Sequence, residues 1–186
     1  MSQREQLKAE RRRQLLDAGA RLMSERGFRG VRLEDLGAAV GVSGPAVYRH
    51  FPSKEALLVE LLSDVSERLL ADASATVDRL APEQALERLL DLHVDFALAH
   101  PHVIRLQDQD LHHLPADAEH RIRKTQRRYV EIWVETLCAV RPGRPDDDAR
   151  TAAHAVFGLV NSTPHSDRGA RTRSVLRRMA LAALTS

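Results

Sequence analysis

The chain has 186 residues, of which 43% are hydrophobic and 29% are charged, and its formal net charge is +2. This length and composition are typical of a globular protein with one sizeable core or two small ones. The sequence has no apolar run of eighteen residues and no signal-peptide pattern, so we expect no membrane segment and a cytoplasmic location. Its single cysteine, Cys138, excludes an intramolecular disulfide, and the helical pattern around it favours a small buried residue over a redox sensor.

The first predicted helix covers about residues 7–26 and ends at Gly27, because glycine readily adopts the backbone conformations that stop a helix. Residues 1–60 hold eleven lysines and arginines against eight aspartates and glutamates, and the basic excess lies within residues 1–30. A basic segment of this kind is either a solvated helix face or part of a phosphate-binding surface. The motif that follows this segment favours the second interpretation, a phosphate-binding surface.

Residues 31–55 carry the pattern of two short helices joined by a tight turn. Leu33 and Leu36 have helical spacing, Gly41 stops the first helix, and Ser43 offers a hydroxyl N-cap to the second. In the second helix the pattern predicts that Val47 and Phe51, four residues apart, face inward. The outward residues are then Gly44, Pro45, Ala46, Tyr48 and His50. This is a helix-turn-helix pattern.

The residue types of the second helix suit contact with a DNA major groove. Pro45 is tolerated in a first helical turn, where its missing N–H has no partner to lose, and Gly44 permits close backbone approach. Tyr48 and His50 can donate hydrogen bonds to phosphate oxygens, and Lys54 adds a positive charge nearby. Each of these three contacts would position the protein without reading sequence.

The segment from Gly41 to Lys54 matches the pattern G-V-S-x-x-x-(apolar)-Y-x-H-F-x-x-K, and by it the chain resembles the TetR family of one-component repressors. The likeness extends back through Gly27-Phe28 and Asp35-Leu36 and covers about the first third of the chain. It implies an all-α protein with an N-terminal three-helix DNA-binding domain, a C-terminal helical domain that binds a small ligand, and a homodimer. We place these domains at residues 1–54 and 55–186.

Carried over by position, the resemblance assigns Gly44, Pro45 and Ala46 to the bases, and Tyr48, His50 and Lys54 to the DNA backbone. The three base-facing residues have no polar side-chain groups. Direct readout is therefore predicted to rest on contact with thymine methyl groups and on Arg32 and Arg49.

One departure from the family pattern lies at the start of the first motif helix. Family members commonly have threonine or serine there, whereas this chain has Arg32 and Leu33. Neither residue has the hydroxyl group that makes the usual cap and phosphate contact. Arg32 can reach a phosphate or the groove instead, or it is an ordinary solvated arginine.

The remainder of the chain reads as further helices, without a strand pattern or an internal repeat. A long helix without a breaker is expected to link the two domains and to carry movement between them. The predicted helices cover about residues 54–80, 82–100, 102–111, 117–139, 146–160 and 169–184, with Asp117 as a cap and a loop at 141–145.

The last two helices carry more apolar surface than one monomer needs, which predicts a four-helix interface between two copies. The effector site is predicted from position alone, with Phe96, Leu106, Trp133, Phe157 and Asn161 as its lining residues. The final helix also carries four arginines, which either bind an anionic group or form a solvated face. These are Arg171, Arg173, Arg177 and Arg178.

Nine histidines raise the alternative of a helical metal-dependent or acid–base enzyme. Five of them cluster along a loop-rich segment, namely His100, His102, His112, His113 and His120. No two of these have the i, i+4 spacing of helical metal ligands, and the chain has no HExxH or GxSxG motif. We therefore predict no catalytic site, no metal and no cofactor. A third alternative is a DNA-binding protein whose C-terminal domain only dimerises.

Overall fold

The computed structural model describes residues 2–165 and 169–185. Within these ranges the chain forms nine α-helices and three short 3-10 turns, and no strand. The all-α prediction is confirmed. The helices are α1 (Gln3–Arg26), α2 (Leu33–Val40), α3 (Gly44–Tyr48), α4 (Lys54–Val77), α5 (Pro82–Ala99), α6 (Pro101–Gln109), α7 (Ala116–Val140), α8 (Asp146–Val160) and α9 (Ala170–Thr185).

Helix α1 begins four residues before the predicted start at about residue 7. Ser2 and Glu5 form a capping box: the Ser2 hydroxyl accepts from the Glu5 backbone N–H, and the Glu5 carboxylate accepts from the Ser2 N–H at 2.7 Å. This reciprocal pair satisfies two backbone donors that have no partner inside the helix. Gly27 ends α1 as predicted, with φ at 75°.

The turn between α2 and α3 confirms one predicted signal and corrects another. Gly41 ends α2 in the left-handed region, with φ at 72° and ψ at 35°. Ser43 occupies the N-cap position of α3, but its hydroxyl makes no capping hydrogen bond. The reason is local: Pro45 has no N–H to offer, and the Ala46 N–H already donates to the Ser43 backbone oxygen at 2.9 Å.

Two other helix boundaries differ from the predicted ones. Helix α4 ends at Val77, three residues before Leu80, where the Thr76 carbonyl oxygen accepts from both the Arg79 and the Leu80 N–H. Helix α7 begins at Ala116, so Asp117 lies in its first turn and is not its cap. An acidic residue in that turn still interacts favourably with the helix dipole.

The chain divides into two compact units. The first, here called the head unit, consists of Met1–Asp64 and Arg105–His120, and the second, the core unit, consists of Val65–Ile104 and Arg121–Ser186. The predicted domain boundary after residue 54 stays a prediction. None of the helices in the described part of the chain is both long and apolar enough to cross a membrane.

Each unit buries its own apolar residues. In the head unit, Leu15, Met23, Leu36, Val47 and Phe51 are at most 1% exposed. The core unit has a larger apolar cluster from α5, α7, α8 and α9, with the indole of Trp133 fully buried in it. Its buried members on α5 and α7 include Leu86, Leu89, Leu90, Val94, Ile132 and Leu137.

Cys138 lies in α7 and is half-buried. Its sulfur is 3.6 Å from a carboxylate oxygen of Asp146 and 3.8 Å from the Arg144 backbone oxygen. Burial and the Asp146 carboxylate raise the pKa of the thiol. The reactive thiolate is therefore disfavoured, which agrees with a packing role.

Candidate nucleic-acid interface and effector site

Gly37 sets the close contact between α2 and α3. A Cβ atom at this position would lie 2.8 Å from the Val42 carbonyl oxygen and 2.9 Å from a methyl carbon of Val47. Those distances are shorter than van der Waals contact, so glycine lets the turn and α3 pack against α2. This role of Gly37 was not predicted from the sequence, although a glycine inside a short helical pattern is a signal of close packing.

Of the five residues predicted to face outward from α3, Pro45 and Tyr48 are exposed. Val47 and Phe51 are buried, as predicted, whereas Pro45 is exposed and Gly44 and Ala46 are half-buried. Phe51 lies beyond the helix, which ends at Tyr48. The contacts of Gly44, Pro45 and Ala46 with bases stay predictions.

The hydroxyl of Tyr48 is engaged within the head unit. Tyr48 is 49% exposed, and its O–H donates to a carboxylate oxygen of Glu34 on α2 at 3.0 Å. This hydrogen bond raises the pKa of Tyr48. A phosphate oxygen that accepts from Tyr48 must therefore replace Glu34, whose negative charge opposes phosphate at the same place.

His50 and Arg49 follow α3. His50 is half-buried rather than exposed, and its Nδ1 atom is buried without a hydrogen-bond partner. Burial and then the surrounding cations, Arg12 foremost, lower the pKa of His50. The imidazole is thus neutral at pH 7 and can act as a hydrogen-bond donor or acceptor but not as a positive charge. Arg49 is exposed.

Lys54 is half-buried and makes hydrogen bonds within the head unit. Its ammonium donates to the backbone oxygens of Phe28 and Val31, at 2.7 and 3.1 Å, and lies 4.4 Å from the centre of the Phe28 ring. The side chain ties the first residue of α4 to the segment before α2. One N–H remains for other partners, and its contact with phosphate stays a prediction.

Arg32 occupies the N-cap position of α2, where the family pattern would have a hydroxyl. Its backbone N–H donates to the Asp35 carboxylate at 2.8 Å, so Asp35 supplies one half of a capping box. The Arg32 side chain is exposed, and among the described residues its guanidinium has no partner. It is therefore available to an external group.

Part of the predicted basic footprint acts inside the head unit. Arg12 pairs through two nitrogens with the Glu60 carboxylate, donates to the His50 backbone oxygen and lies 4.2 Å from the centre of the Phe51 ring. Arg11 donates to the Val40 oxygen at the end of α2 at 2.8 Å. These two arginines join α1 to the helix-turn-helix segment.

Four of the five predicted effector residues converge on one buried histidine in the core unit. The ring centres of Phe96, Trp133 and Phe157 lie 6.2, 6.0 and 4.9 Å from that of His93. Asn161 is hydrogen-bonded to the same imidazole. Leu106 is buried in the head unit and is not part of this cluster.

His93 was missed by the sequence analysis, although it lies on the apolar stripe of α5 with Leu89 and Leu90. Its Nε2 atom is 3.1 Å from Asn161 Oδ1, and its Nδ1 atom is 3.1 Å from the Tyr129 hydroxyl oxygen. Since an amide oxygen only accepts, Nε2 carries the proton and Nδ1 accepts from Tyr129. Burial lowers the pKa of His93 to about 4, against the opposing effect of Asn161, so this chain of hydrogen bonds is uncharged at neutral pH.

Among the histidines of the loop-rich segment, His113 packs against residues of the head unit. The His113 ring stacks on Phe28 with ring centres 4.7 Å apart, and its Nε2 atom is 3.6 Å from an Asp110 carboxylate oxygen. Burial lowers the pKa of His113. The described residues contain no group of three or more histidine, cysteine or acidic side chains that could hold a metal ion.

Two of the four arginines on α9 are paired with acids on α5. Arg173 donates to Asp95 at 3.0 Å and to Asp91 at 3.3 Å, and Arg177 donates to Asp91 and Glu87, both at 2.8 Å. These hydrogen bonds raise the pKa of both guanidinium groups and neutralise them locally. This ladder favours the solvated-face interpretation over an anion site.

Two family models match the chain. The model described as "Bacterial regulatory proteins, tetR family" matches residues 15–61, and "Tetracyclin repressor-like, C-terminal domain" matches residues 79–183. Over 150 residues the chain is 29% identical to the HTH-type transcriptional repressor KstR2 of Rhodococcus jostii (strain RHA1), which covers 78% of this chain and 74% of that protein.

Solved structures share the fold. The ketosteroid transcriptional regulator KstR2 of Mycobacterium tuberculosis superposes with a TM-score of 0.81 at 23% identity, covering 94% of this chain and 93% of that one. AibR, solved in complex with isovaleryl coenzyme A and operator DNA, has a TM-score of 0.73 at 21% identity, covering 91% of this chain and 96% of that one.

Proposed function

Because the chain belongs to the TetR family of transcriptional regulators, which are DNA-binding proteins and not enzymes, we propose that it is a homodimeric repressor released from its operator by a small, largely apolar effector. The observation that carries the proposal is the helix-turn-helix of the head unit, in which Gly37 lets α3 pack on α2 while α3 keeps Pro45 and Tyr48 exposed. We also propose that it acts in the cytoplasm, where its DNA would be found.

In the proposed complex, α3 lies in the major groove of an inverted-repeat operator, with half-sites about 34–36 Å apart or a multiple of that distance. Gly44, Pro45 and Ala46 approach the bases, while the DNA backbone is held by Tyr48, His50 and the remaining N–H of Lys54. Arg32 and Arg49, both exposed, supply the long polar side chains that the front of α3 lacks.

Dimerisation is proposed through α8 and α9. Helix α9 packs on α5 and α8 through the face that buries Leu176, Ala180 and Leu184. Its other face leaves Met179 50% exposed, beside small exposed residues such as Ala182. A two-fold pairing of these helices with those of a second copy would cover this apolar surface in a four-helix interface.

The effector is proposed to bind at the cluster around His93, where Phe96, Trp133, Phe157 and Asn161 meet. Only a ligand that prefers the conformation unable to bind DNA can release the operator, and the operator must then weaken ligand binding by the same factor. A coupling of about 1–3 kcal/mol corresponds to a 5–150-fold loss of operator affinity at saturating ligand. AibR, solved with both an acyl coenzyme A and operator DNA, supports a two-site regulator of this kind.

The proposed DNA surface is tested by anisotropy titrations with an operator selected from random DNA. Arg32→Ala is expected to relax preference at one base position by about 1–3 kcal/mol. Arg79→Ala removes an exposed arginine of the core unit and serves as the matched control. An equal loss of affinity for all sequences would make Arg32 a phosphate clamp, and unchanged binding of every sequence would remove it from the interface.

Dimerisation is tested by light scattering of the purified protein with and without Met179→Arg. The wild-type chain is expected to have the mass of a dimer, and the variant that of a monomer, because an arginine would be buried without a partner. A monomeric wild type that still binds a palindromic operator with high affinity contradicts the proposed assembly. Operator binding that no effector candidate weakens would instead favour a C-terminal domain that only dimerises.

A further inference from the structure

The buried aromatic cluster of the core unit contains a hydrogen-bond donor without an acceptor. The Trp133 side chain is 0% exposed, and its Nε1 atom is buried and has no hydrogen-bond partner. Buried donors in native proteins are nearly always paired, because an unpaired one loses its water without compensation. An orphan donor within the proposed ligand site therefore indicates a ligand group that accepts a hydrogen bond.

The neighbouring polar groups have already committed their hydrogen bonds. The Tyr129 hydroxyl donates to His93 Nδ1, and His93 Nε2 donates to Asn161 Oδ1, each at 3.1 Å. The carbonyl oxygen of Asn161 is thereby used, whereas its amide N–H groups remain at the half-buried edge of the cluster. The indole N–H lies near the Tyr129 hydroxyl without an aligned hydrogen bond. The donors that remain unused in the cluster are therefore the indole N–H of Trp133 and the amide N–H groups of Asn161.

The electrostatic surroundings disfavour a negatively charged ligand group. The carboxylate of Asp72 is near enough to Tyr129 to add to the raised pKa that burial gives the phenol. His93 is neutral at pH 7, and Arg173 and Arg177 are already paired with the acids of α5. A buried anion needs a cation or several donors, and none of the cluster residues is a cation. A neutral acceptor fits better.

Phe157 packs against the other rings of the cluster. Its ring centre lies 4.9 Å from that of His93, 5.0 Å from that of Trp133 and 5.8 Å from that of Tyr129, so it is a neighbour of all three rings. Phe157 is itself only half-buried, as are Phe96 and Asn161. A ligand that reaches the indole would have to displace this half-buried ring.

We infer that this cluster binds the neutral carbonyl group of a mostly apolar effector, such as a ketone, ester or lactone, with the indole N–H of Trp133 as its donor and the ring of Phe157 displaced. The Asn161 amide supplies a second donor at the edge. The inference rests on the proposed effector function and specifies the chemistry that the same site selects.

The experiment uses three probes that share one ring. Cyclooctanone carries the carbonyl, methylenecyclooctane replaces its oxygen with a CH₂ group of similar shape, and cyclooctanecarboxylate carries a charge. Because the chain has a single tryptophan, its indole N–H gives one cross-peak in a ¹⁵N-correlated NMR spectrum of the full-length protein. Cyclooctanone is expected to move this peak downfield and slow its exchange with water, and methylenecyclooctane to do neither.

Affinities come from titration calorimetry and from the same NMR titrations. Wild-type protein is expected to bind the ketone about five- to fiftyfold more tightly than the methylene compound, because only the ketone satisfies the buried donor. Trp133→Phe keeps an aromatic ring without the N–H and should bring the two affinities within about twofold of each other. Arg79→Ala, remote in sequence and exposed, should retain the wild-type preference.

The inference is overturned by equal binding of ketone and methylene compound, by tighter binding of the carboxylate, by an unmoved indole peak in the ketone complex, or by no binding of the ketone. The wild-type NMR result decides even if Trp133→Phe does not fold. The proposed regulator function is tested by a different experiment, the titration of the same protein with operator DNA. Absence of DNA binding would count against that function. The preference for a carbonyl group is measured without DNA and can therefore fail or hold independently.

Discussion

In the head unit positive charges hold the scaffold together from within, whereas in the core unit the buried polar groups are uncharged and the arginines stay near the surface. Arg12 joins α1 to Glu60 of α4, and Lys54 is bound by two backbone oxygens. In the core unit, Tyr129, His93 and Asn161 form a neutral chain of hydrogen bonds.

The difference follows from what each unit must bury. The head unit is small, and half-buried guanidinium and ammonium groups join its short helices to backbone oxygens and carboxylates while their stems cover apolar surface. The core unit encloses a buried indole and a buried imidazole. A charge at their position would be costly, because it would lose its hydration. We therefore expect acidification to destabilise the core unit before the head unit. Removal of a single cationic side chain should instead destabilise the head unit more than the core unit.

The largest expected effect is the pH dependence that His93 gives to the core unit. Its folded pKa of about 4 lies below the ordinary histidine value near 6.5, so the unfolded chain binds the proton first as the pH falls. The contribution of neutral His93 to the free energy of unfolding is therefore fully present above about pH 6.5. It is lost as the pH falls towards 4, by on the order of 3 kcal/mol in total. Urea unfolding between pH 7 and pH 4 measures this loss.

His93→Gln is expected to remove that part of the pH dependence, because glutamine does not titrate, while His154→Gln, at an exposed position of α8, should keep it. The comparison is between slopes of stability against pH, so a constant destabilisation by either substitution does not matter. An identical slope in His93→Gln would show that His93 is not the group that binds the proton.

Gly37→Ala is expected to destabilise the head unit by about 1–3 kcal/mol, because a methyl group would be forced against the Val42 oxygen and Val47. Operator binding should weaken with it. Gly30→Ala is the matched control, since its Cβ would be 3.5 Å from the nearest atom, in ordinary contact, and its effect should stay within about 0.5 kcal/mol. Similar costs for the two substitutions would argue against a steric requirement at Gly37.

Arg12→Met is expected to cost about 1–2 kcal/mol, because it keeps a long apolar stem but leaves Glu60 without its paired guanidinium. Solvent screens this ion pair and limits the loss, since both side chains are about one-third exposed. Arg13→Met breaks a more exposed pair with Glu10 and should change stability by less than about 0.5 kcal/mol. Chemical unfolding of both variants makes the comparison, and equal losses would remove the special role of Arg12.

The smallest expected effect lies in the ladder between α5 and α9. Arg177→Gln should cost less than about 1 kcal/mol, because the guanidinium and its partners are partly exposed, and the cost should shrink in high salt. Thermal unfolding at low and high ionic strength tests this. A loss that does not depend on salt would mean that Arg177 acts by packing its stem rather than by its charge.

Most of the helices and the motif were readable from the sequence because their signals are local. Gly27 and Gly41 end helices with positive φ, and Val47 and Phe51 are buried as their four-residue spacing indicates. Where boundaries were wrong, the missing information was also near in sequence, as with the Ser2 and Glu5 capping box. The Ser43 hydroxyl cap failed because Pro45 and the backbone of α3 leave it no free donor.

The sequence by itself determined the helical class, the helix-turn-helix and which residues are apolar enough to be buried, because these depend on neighbours within a few positions. The tertiary structure decided which partner each polar side chain has. His93 meets Asn161 across 68 positions, and Arg12 meets Glu60 across 48. The environment that leaves the indole N–H of Trp133 unpaired is equally a product of packing between distant helices. The type of a side chain determines which groups it can bind. Only the fold selects its actual partner, because the fold determines which groups are close enough and whether water is excluded from them.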